Sequence, residues 1–374
     1  MPVPENARII DISGKFVYPA LIEAESELGL NEISAVPATV DIIEKGEINP
    51  NVHAERAVNP DSERIPVTRA NGVALAVSVP EGGLVSGLSA LMMLDGWTWE
   101  SMVLKAPVGM AVRWPTMLST DTFGAADVRE KHRKQVAEQR RTIEEAFRDA
   151  RSYMDARIGE NTDGIPVHKT DVRWEAMIPV LRGELPVFVY AQRKREIETA
   201  VEWADREKLR MVLVGGLDAP LVADLLREKG IPVVVTPILR LPLRRDDPYD
   251  APYTVPKRLY EAGVRFCIAG GSGYGNERNL PYHAAQARAY GLPEDAALRS
   301  VTLSVAEILG VEARVGSIAA GKDATVIVTD GDPLEIRTHT ERLFIQGRDV
   351  PLTSRHTRLN DKYRERYRLI NETQ

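Results

Sequence analysis

The chain has 374 residues, 44% of them hydrophobic and 27% charged, a balance that excludes a disordered or fibrous protein and fits one large domain, alone or with a small one. A formal net charge of −6 without a basic block argues against nucleic acid as a partner. The single cysteine, Cys267, rules out an internal disulfide and any Cys-based zinc site, and reads as a small buried hydrophobe.

In chain order, the first stretch is "ARIIDISGKFVYPA", with the look of β structure. It runs into "LIEAESELGL", a hydrophobic run that ends in glutamates at 23, 25 and 27. Side chains alternate in an extended chain, so the three carboxylates share one face and repel unless a positive group sits among them. "GVALAVSVPEGG" (72–83) predicts a further strand and turn. The segment 127–158 predicts a long, heavily charged helix whose apolar stripe is Val128, Val136, Ile143, Phe147, Met154 and Ile158. Acidic and basic residues alternate there, which marks a solvated face.

From about Asp171 to Leu309, short apolar runs alternate with helical patterns. "LPVFVYA" (185–191), "RMVLVGG" (210–216), "IPVVVTPI" (231–238) and "VRFCIAGG" (264–271) read as strands. Ile197, Ala200, Val201 and Ala204 keep helical spacing between the first two, and "TVPKRLYEAG" is a helix ended by Gly263. Asp218 is placed to cap a helix that stops at Gly230. Strands continuous in hydrophobicity and separated by helices make a parallel sheet covered on both faces. The segment 315–352 changes to period-2 strands with Gly-Asp turns, hence antiparallel β. Two β pieces flanking an α/β core predict a small β domain built from both termini.

None of the six histidines forms H-x-H, H-x-x-x-H or H-E-x-x-H with another. His283, just after a Gly-rich loop, is the one kept as a site candidate. That loop, "AGGSGYGNERNLP" (269–281), has neither the G-x-G-x-x-G nor the G-x-S-x-G spacing. It still follows a strand, where α/β barrels keep their sites, which retains Ser272 and Tyr274 as pocket candidates. A second such loop, 241–253, offers Arg244 and Arg245 to an anion or substrate, or else to a surface ion-pair cluster with Asp246 and Asp247.

"DISGKFVYPALIEAESELGL" resembles the opening of the amidohydrolase superfamily, D-x-x-G-K-x-V-x-P-G-x-I-D-A-H-x-H-x-G. "SVTLSVAEILGVEARVGSIAAGKDATVIVTDGDPL" resembles its closing segment, and the nearest subgroup is the imidazolonepropionase-like amidohydrolases. The resemblance implies a distorted TIM (β/α)8 barrel over 19–309, with a small β-sandwich domain from 1–18 and 310–374. It also implies hydrolysis of non-peptide carbon–nitrogen bonds with one or two divalent metals, typically zinc. Residue by residue, however, the metal positions have changed. H-x-H falls on Glu25-Ser26-Glu27, the next motif on Tyr190-Ala191-Gln192, the following histidine on Gly215, and the catalytic aspartate on Gly271 to Gly273. The expectation is therefore a degenerate metal site with no cofactor. Glu25 and Glu27 are the candidate catalytic residues, with Tyr190, Gln192 and Gly215 in the pocket.

Two readings of the glutamates stand: ligands of a hard cation, or carboxylates neutralised by Arg or Lys or by protonation. Three functions stand beside them. One is an impaired hydrolase. Another is a rearranged one with Glu25 or Glu27 as general base. The third is a non-catalytic small-molecule-binding or regulatory partner of an intact homologue. For partners, the reading gives a small-molecule ligand or substrate, a homodimer or a pairing with an intact homologue, no nucleic acid and no membrane span, since no apolar run approaches the ~20 residues required. "MPVPENARII" lacks signal-peptide character, but the chain starts late relative to the family. Missing first strands and an export signal are the expectation this leaves open, and with it the compartment.

Overall fold

The structure, a computed structural model, describes residues 7–117, 126–159, 169–271 and 276–372. Twelve strands form two sheets. The smaller is antiparallel and four-stranded: β1 (Phe16–Pro19), β10 (Val326–Thr329), β11 (Thr340–Ile345) and β12 (Arg348–Val350), in that order. Phe16 pairs with Thr329 and Val326 with Phe344, so the two ends of the chain meet in one sheet. Of the β character expected over the first residues, only Phe16–Pro19 is strand. Asp11 turns the chain just before it by accepting from the Ser13 amide at 2.9 Å.

The larger sheet holds β2 (Leu21–Ser26), β3 (Val73–Ser78), β4 (Val85–Met93), β5 (Val103–Arg113), β6 (Val187–Ala191), β7 (Met211–Gly215), β8 (Val233–Val235) and β9 (Phe266–Ile268). Adjacent strands run parallel except at β4, which is antiparallel to both β3 and β5. One βα unit of a regular barrel is thus replaced by a hairpin-connected strand, which is the distortion. The end strands β2 and β9 meet across a seam, where the Gly270 amide donates to both Glu23 carboxylate oxygens at 3.0 and 2.9 Å.

Alternation along the strands sorts the side chains into two cores. Phe188, Val212, Val214, Val234 and Cys267 pack inside the barrel. Val112, Val189, Leu213, Val235 and Ile268 face the helices. Gly109 is required inside, because a Cβ there would lie 2.6 Å from the Phe188 ring. Cys267 is fully buried in this interior, as a small hydrophobe. Ile327, Leu343 and Ile345 of the small sheet, with Val305 and Leu309, belong to the same interior core and close the N-terminal end of the barrel.

The long helix spans Ala126–Gly159. Only its middle is buried: Ile143, Phe147 and Ala150, with Phe147 edge-on to Trp203 at 4.9 Å. Val128 and Ile158 at its two ends are exposed, so the apolar stripe drawn from sequence is longer than the face that packs. Its charges pair along the helix, as in Arg141–Glu138 and Arg148–Glu145. Among the described residues, no helix is long and apolar enough to cross a membrane. A final helix, Arg355–Glu372, was not foreseen, and none of its residues is buried.

Candidate functional site at the barrel mouth

The C-terminal ends of the strands bring the opening glutamates together with three residues that sequence reasoning missed: Arg64, Thr236 and Glu277. Glu25 lies within β2 and Glu27 just beyond it. Glu27 accepts from Asn31 Nδ2 at 3.0 Å and from both terminal nitrogens of Arg64 at 3.4 Å. Arg64 also reaches Glu277 Oε1 at 2.7 Å, and its other terminal nitrogen donates to the Asn31 carbonyl. One guanidinium therefore holds two buried carboxylates. Arg64 starts a short helix (Arg64–Arg69) far from β2 in sequence, with no charge pattern to betray its role.

Glu23 is fully buried and its carboxyl is pushed well above the usual carboxylate range. Burial is the main cause, opposed by the amides of Gly270 and Glu25, and reinforced by the negative charge of Glu25 and Glu277. Glu277 is likewise raised by burial, with Arg64 opposing. Two of the three opening glutamates thus have distinct neighbours. Glu23 closes the seam and Glu27 is salt-bridged.

Glu25 faces the ring of strand ends. A Cβ built on Gly271 would lie 2.7 Å from Thr236 Oγ1 and 3.7 Å from Glu25 Oε2. The charge of Glu25 also acts on Tyr190 and Glu277. Tyr190 lies under the Arg113 guanidinium, 3.6 Å from the ring centroid, and burial raises its phenol strongly. The Tyr190 hydroxyl, Thr236 Oγ1 and Glu277 Oε2 are buried with no hydrogen-bond partner among the described residues.

The remaining candidates divide. Gln192 packs over Gly215: a Cβ on that glycine, which has φ +102°, would sit 2.5 Å from Gln192 Nε2. Gln192 Oε1 accepts from the Leu217 amide at 3.4 Å. Arg244 is engaged by Asp218, with a 3.0 Å bond from Nη1 to Oδ1, and by Asp247. Asp218 does not cap a helix through its side chain, as sequence had placed it. Its carboxylate instead serves Arg244 and the Lys194 amide at 3.0 Å. Arg245 is exposed. His283 is buried on the helix Leu280–Ala289, and its Nδ1 accepts from the Ile238 amide at 3.3 Å. Burial lowers its pKa to about 4, so it is a neutral buttress of the loop after β8. Ser272 and Tyr274 lie outside the described residues.

The residues at the family's metal positions do not fit a catalytic zinc. Such a site needs about three nitrogen, sulfur or carboxylate donors around an open position. Here Glu27 is committed to Arg64 and Asn31, and Gly215 and Gly271 carry no side-chain donor, while positions 272 and 273 lie outside the described residues. Among the described residues no group of three or more His, Cys, Asp or Glu is arranged to hold a metal ion.

Comparison with known proteins agrees with the architecture. Residues 255–354 match the model of the Amidohydrolase family. The chain is 24% identical over 375 residues to the amidohydrolase tasK of Hapsidospora irregularis, an alignment covering 92% of this chain and 37% of that protein. It therefore spans little more than a third of that relative's length. The crystal structure of an amidohydrolase from Thermotoga maritima MSB8 matches with a TM-score of 0.81 at 27% identity, over 94% of this chain and 91% of the other. Molinate hydrolase, at 15% identity, a TM-score of 0.51 and coverage of 94% and 86%, shares the fold. The chain thus carries an Amidohydrolase family match over residues 255–354, and its barrel with the accessory sheet is the architecture of the amidohydrolase structure from Thermotoga maritima.

Proposed function

We propose that this chain is an amidohydrolase-superfamily protein that has exchanged metal-dependent hydrolysis of carbon–nitrogen bonds for a metal-free, small-molecule-binding barrel mouth. The observation that carries this reading is the set of donors at the strand ends. Positions 215 and 271 are glycines with positive φ, which offer no donor and strain any side chain put there, and Glu27 is taken up by Arg64 and Asn31. An internal cation, Arg64, pairs with Glu27 and Glu277. The Tyr190 hydroxyl, Thr236 hydroxyl and Glu277 oxygen, unpartnered among the described residues, support a polar ligand, because buried polar groups are ordinarily satisfied.

The experiment is elemental analysis of the purified protein beside assays with N-acyl and imide substrates. Zinc well below one equivalent and no measurable hydrolysis are expected. Glu25→His combined with Glu27→His is expected to leave the protein inactive, since positions 215 and 271 remain without donors. A full equivalent of tightly bound zinc, manganese or iron, removed by chelation together with a hydrolase activity, would overturn the reading in favour of a rearranged active site.

A further inference from the structure

Opposite the glutamates, at the N-terminal ends of β6 to β9, two cavities of about 270 Å³ each adjoin and share Pro186, Arg210 and Ile308. The first has an apolar floor of Val201, Leu209, Met211 and Ile231 beneath a charged rim. Its acids are already matched: Asp205 by Lys229 at 2.9 Å, and Glu307 by Arg299 at 2.6 Å. Its arginines are not. Arg265 donates to the Gly230 carbonyl at 2.9 Å, and Arg210 to the carbonyls of Gly183 and Glu184 at 3.2 Å. Among the described residues neither forms a salt bridge.

The second cavity adds Lys105, whose ammonium donates to the carbonyls of Leu309 at 2.8 Å and Gly310 at 3.3 Å. Glu184 is the one acid lining it, and its side chain is exposed. Lys105 has a lowered pKa, from burial first and from the like charge of Arg210 second, with the more remote Glu312 opposing. Cations gathered around an apolar floor, with local acids outnumbered, complement an anion that carries an apolar body.

We infer that this basal groove is a binding site for an amphipathic organic anion, a phosphate monoester or carboxylate. Its anionic head would lie between Arg210 and Arg265, and its apolar body on Val201, Leu209, Met211 and Ile231. The site lies at the other end of the barrel from the glutamates and does not depend on how the mouth is read.

Titration calorimetry on the full chain tests it with phenyl phosphate, benzoate, inorganic phosphate and phenol as probes. Saturable one-to-one binding of phenyl phosphate or benzoate is expected, with inorganic phosphate and phenol each at least tenfold weaker. The stronger of the first two tells whether phosphate or carboxylate is the preferred head. Arg210→Gln and Arg265→Gln should each weaken binding about tenfold, in line with the loss of one charge-assisted contact. Arg265→Lys should retain part of it. Both arginines are exposed, so unchanged melting temperatures will show that the variants are folded. Absence of saturable binding by both aromatic anions at millimolar concentration overturns the inference, and so does binding that Arg210→Gln and Arg265→Gln leave unaltered.

Discussion

The two ends of the barrel handle charge in opposite ways. At the C-terminal mouth the charged groups are buried and held by other groups of the protein. Arg64 holds Glu27 and Glu277, and the carboxyl of Glu23 is raised by burial while it accepts the Gly270 amide. At the N-terminal base the cations Arg210 and Arg265 are exposed and rest on backbone carbonyls. Burial makes the difference. An uncompensated charge out of water costs several kcal/mol, whereas one at the surface is solvated at little cost. Paired charge therefore supports structure at the mouth, where ligand contact is left to the unpartnered polar atoms, and exposed charge at the base is free to meet an anion.

The largest effect that would sharpen this contrast is expected at Arg64. Arg64→Met strands two buried carboxylates and should cost about 3–5 kcal/mol in chemical denaturation at neutral pH. Adding Glu277→Gln should restore part of the loss, and so should lowering the pH, since protonation removes the stranded charge. A cost near zero would break the account of Arg64 as the internal cation.

His283 provides the next test, through pH. Its folded pKa of about 4 lies below the ordinary value of 6.5, so between these values the unfolded chain binds a proton that the native one does not. Stability should therefore fall as pH drops from about 6.5 towards 4, by about 3 kcal/mol in full. His283→Gln, which can still accept from the Ile238 amide, should flatten that part of a stability–pH profile. An unchanged profile would place the imidazole in a more solvated setting.

A smaller loss is expected at Gly215. Gly215→Ala forces a Cβ into positive φ and against Gln192, at a cost of about 1–3 kcal/mol in thermal unfolding. Gln192→Ala in the same chain should recover the steric share while leaving the backbone share. If the double variant is no better than the single, the whole cost lies in the backbone of Gly215 and none in its contact with Gln192. Smallest of all is Arg265→Gln at the base. It should alter stability by less than about 0.5 kcal/mol, because the side chain is exposed and makes a single backbone contact. A loss comparable to that of Arg64→Met would erase the distinction between the two ends.

The sequence by itself determined the βα alternation from Asp171 to Leu309, the antiparallel strands within 315–352 and the crowding of carboxylates after Leu21, because hydrophobic period and turn chemistry are local properties. Its family resemblance placed Glu25, Glu27, Tyr190, Gln192 and Gly215 on strand ends, and in the structure these positions ring the mouth of one barrel. The neutralising partner of Glu27 emerges only in the tertiary structure. Arg64 lies 37 residues from Glu27 and 213 from Glu277 along the chain, and no local pattern marks it as their partner. The reversal of β4 was equally hidden, since an apolar run reads alike in either direction and only its pairing with β3 and β5 fixes the sense. Asp218 shows the same limit. As a residue type it suits a helix cap, yet the fold brings Arg244 within reach, and an ion pair with a guanidinium outweighs a neutral capping bond.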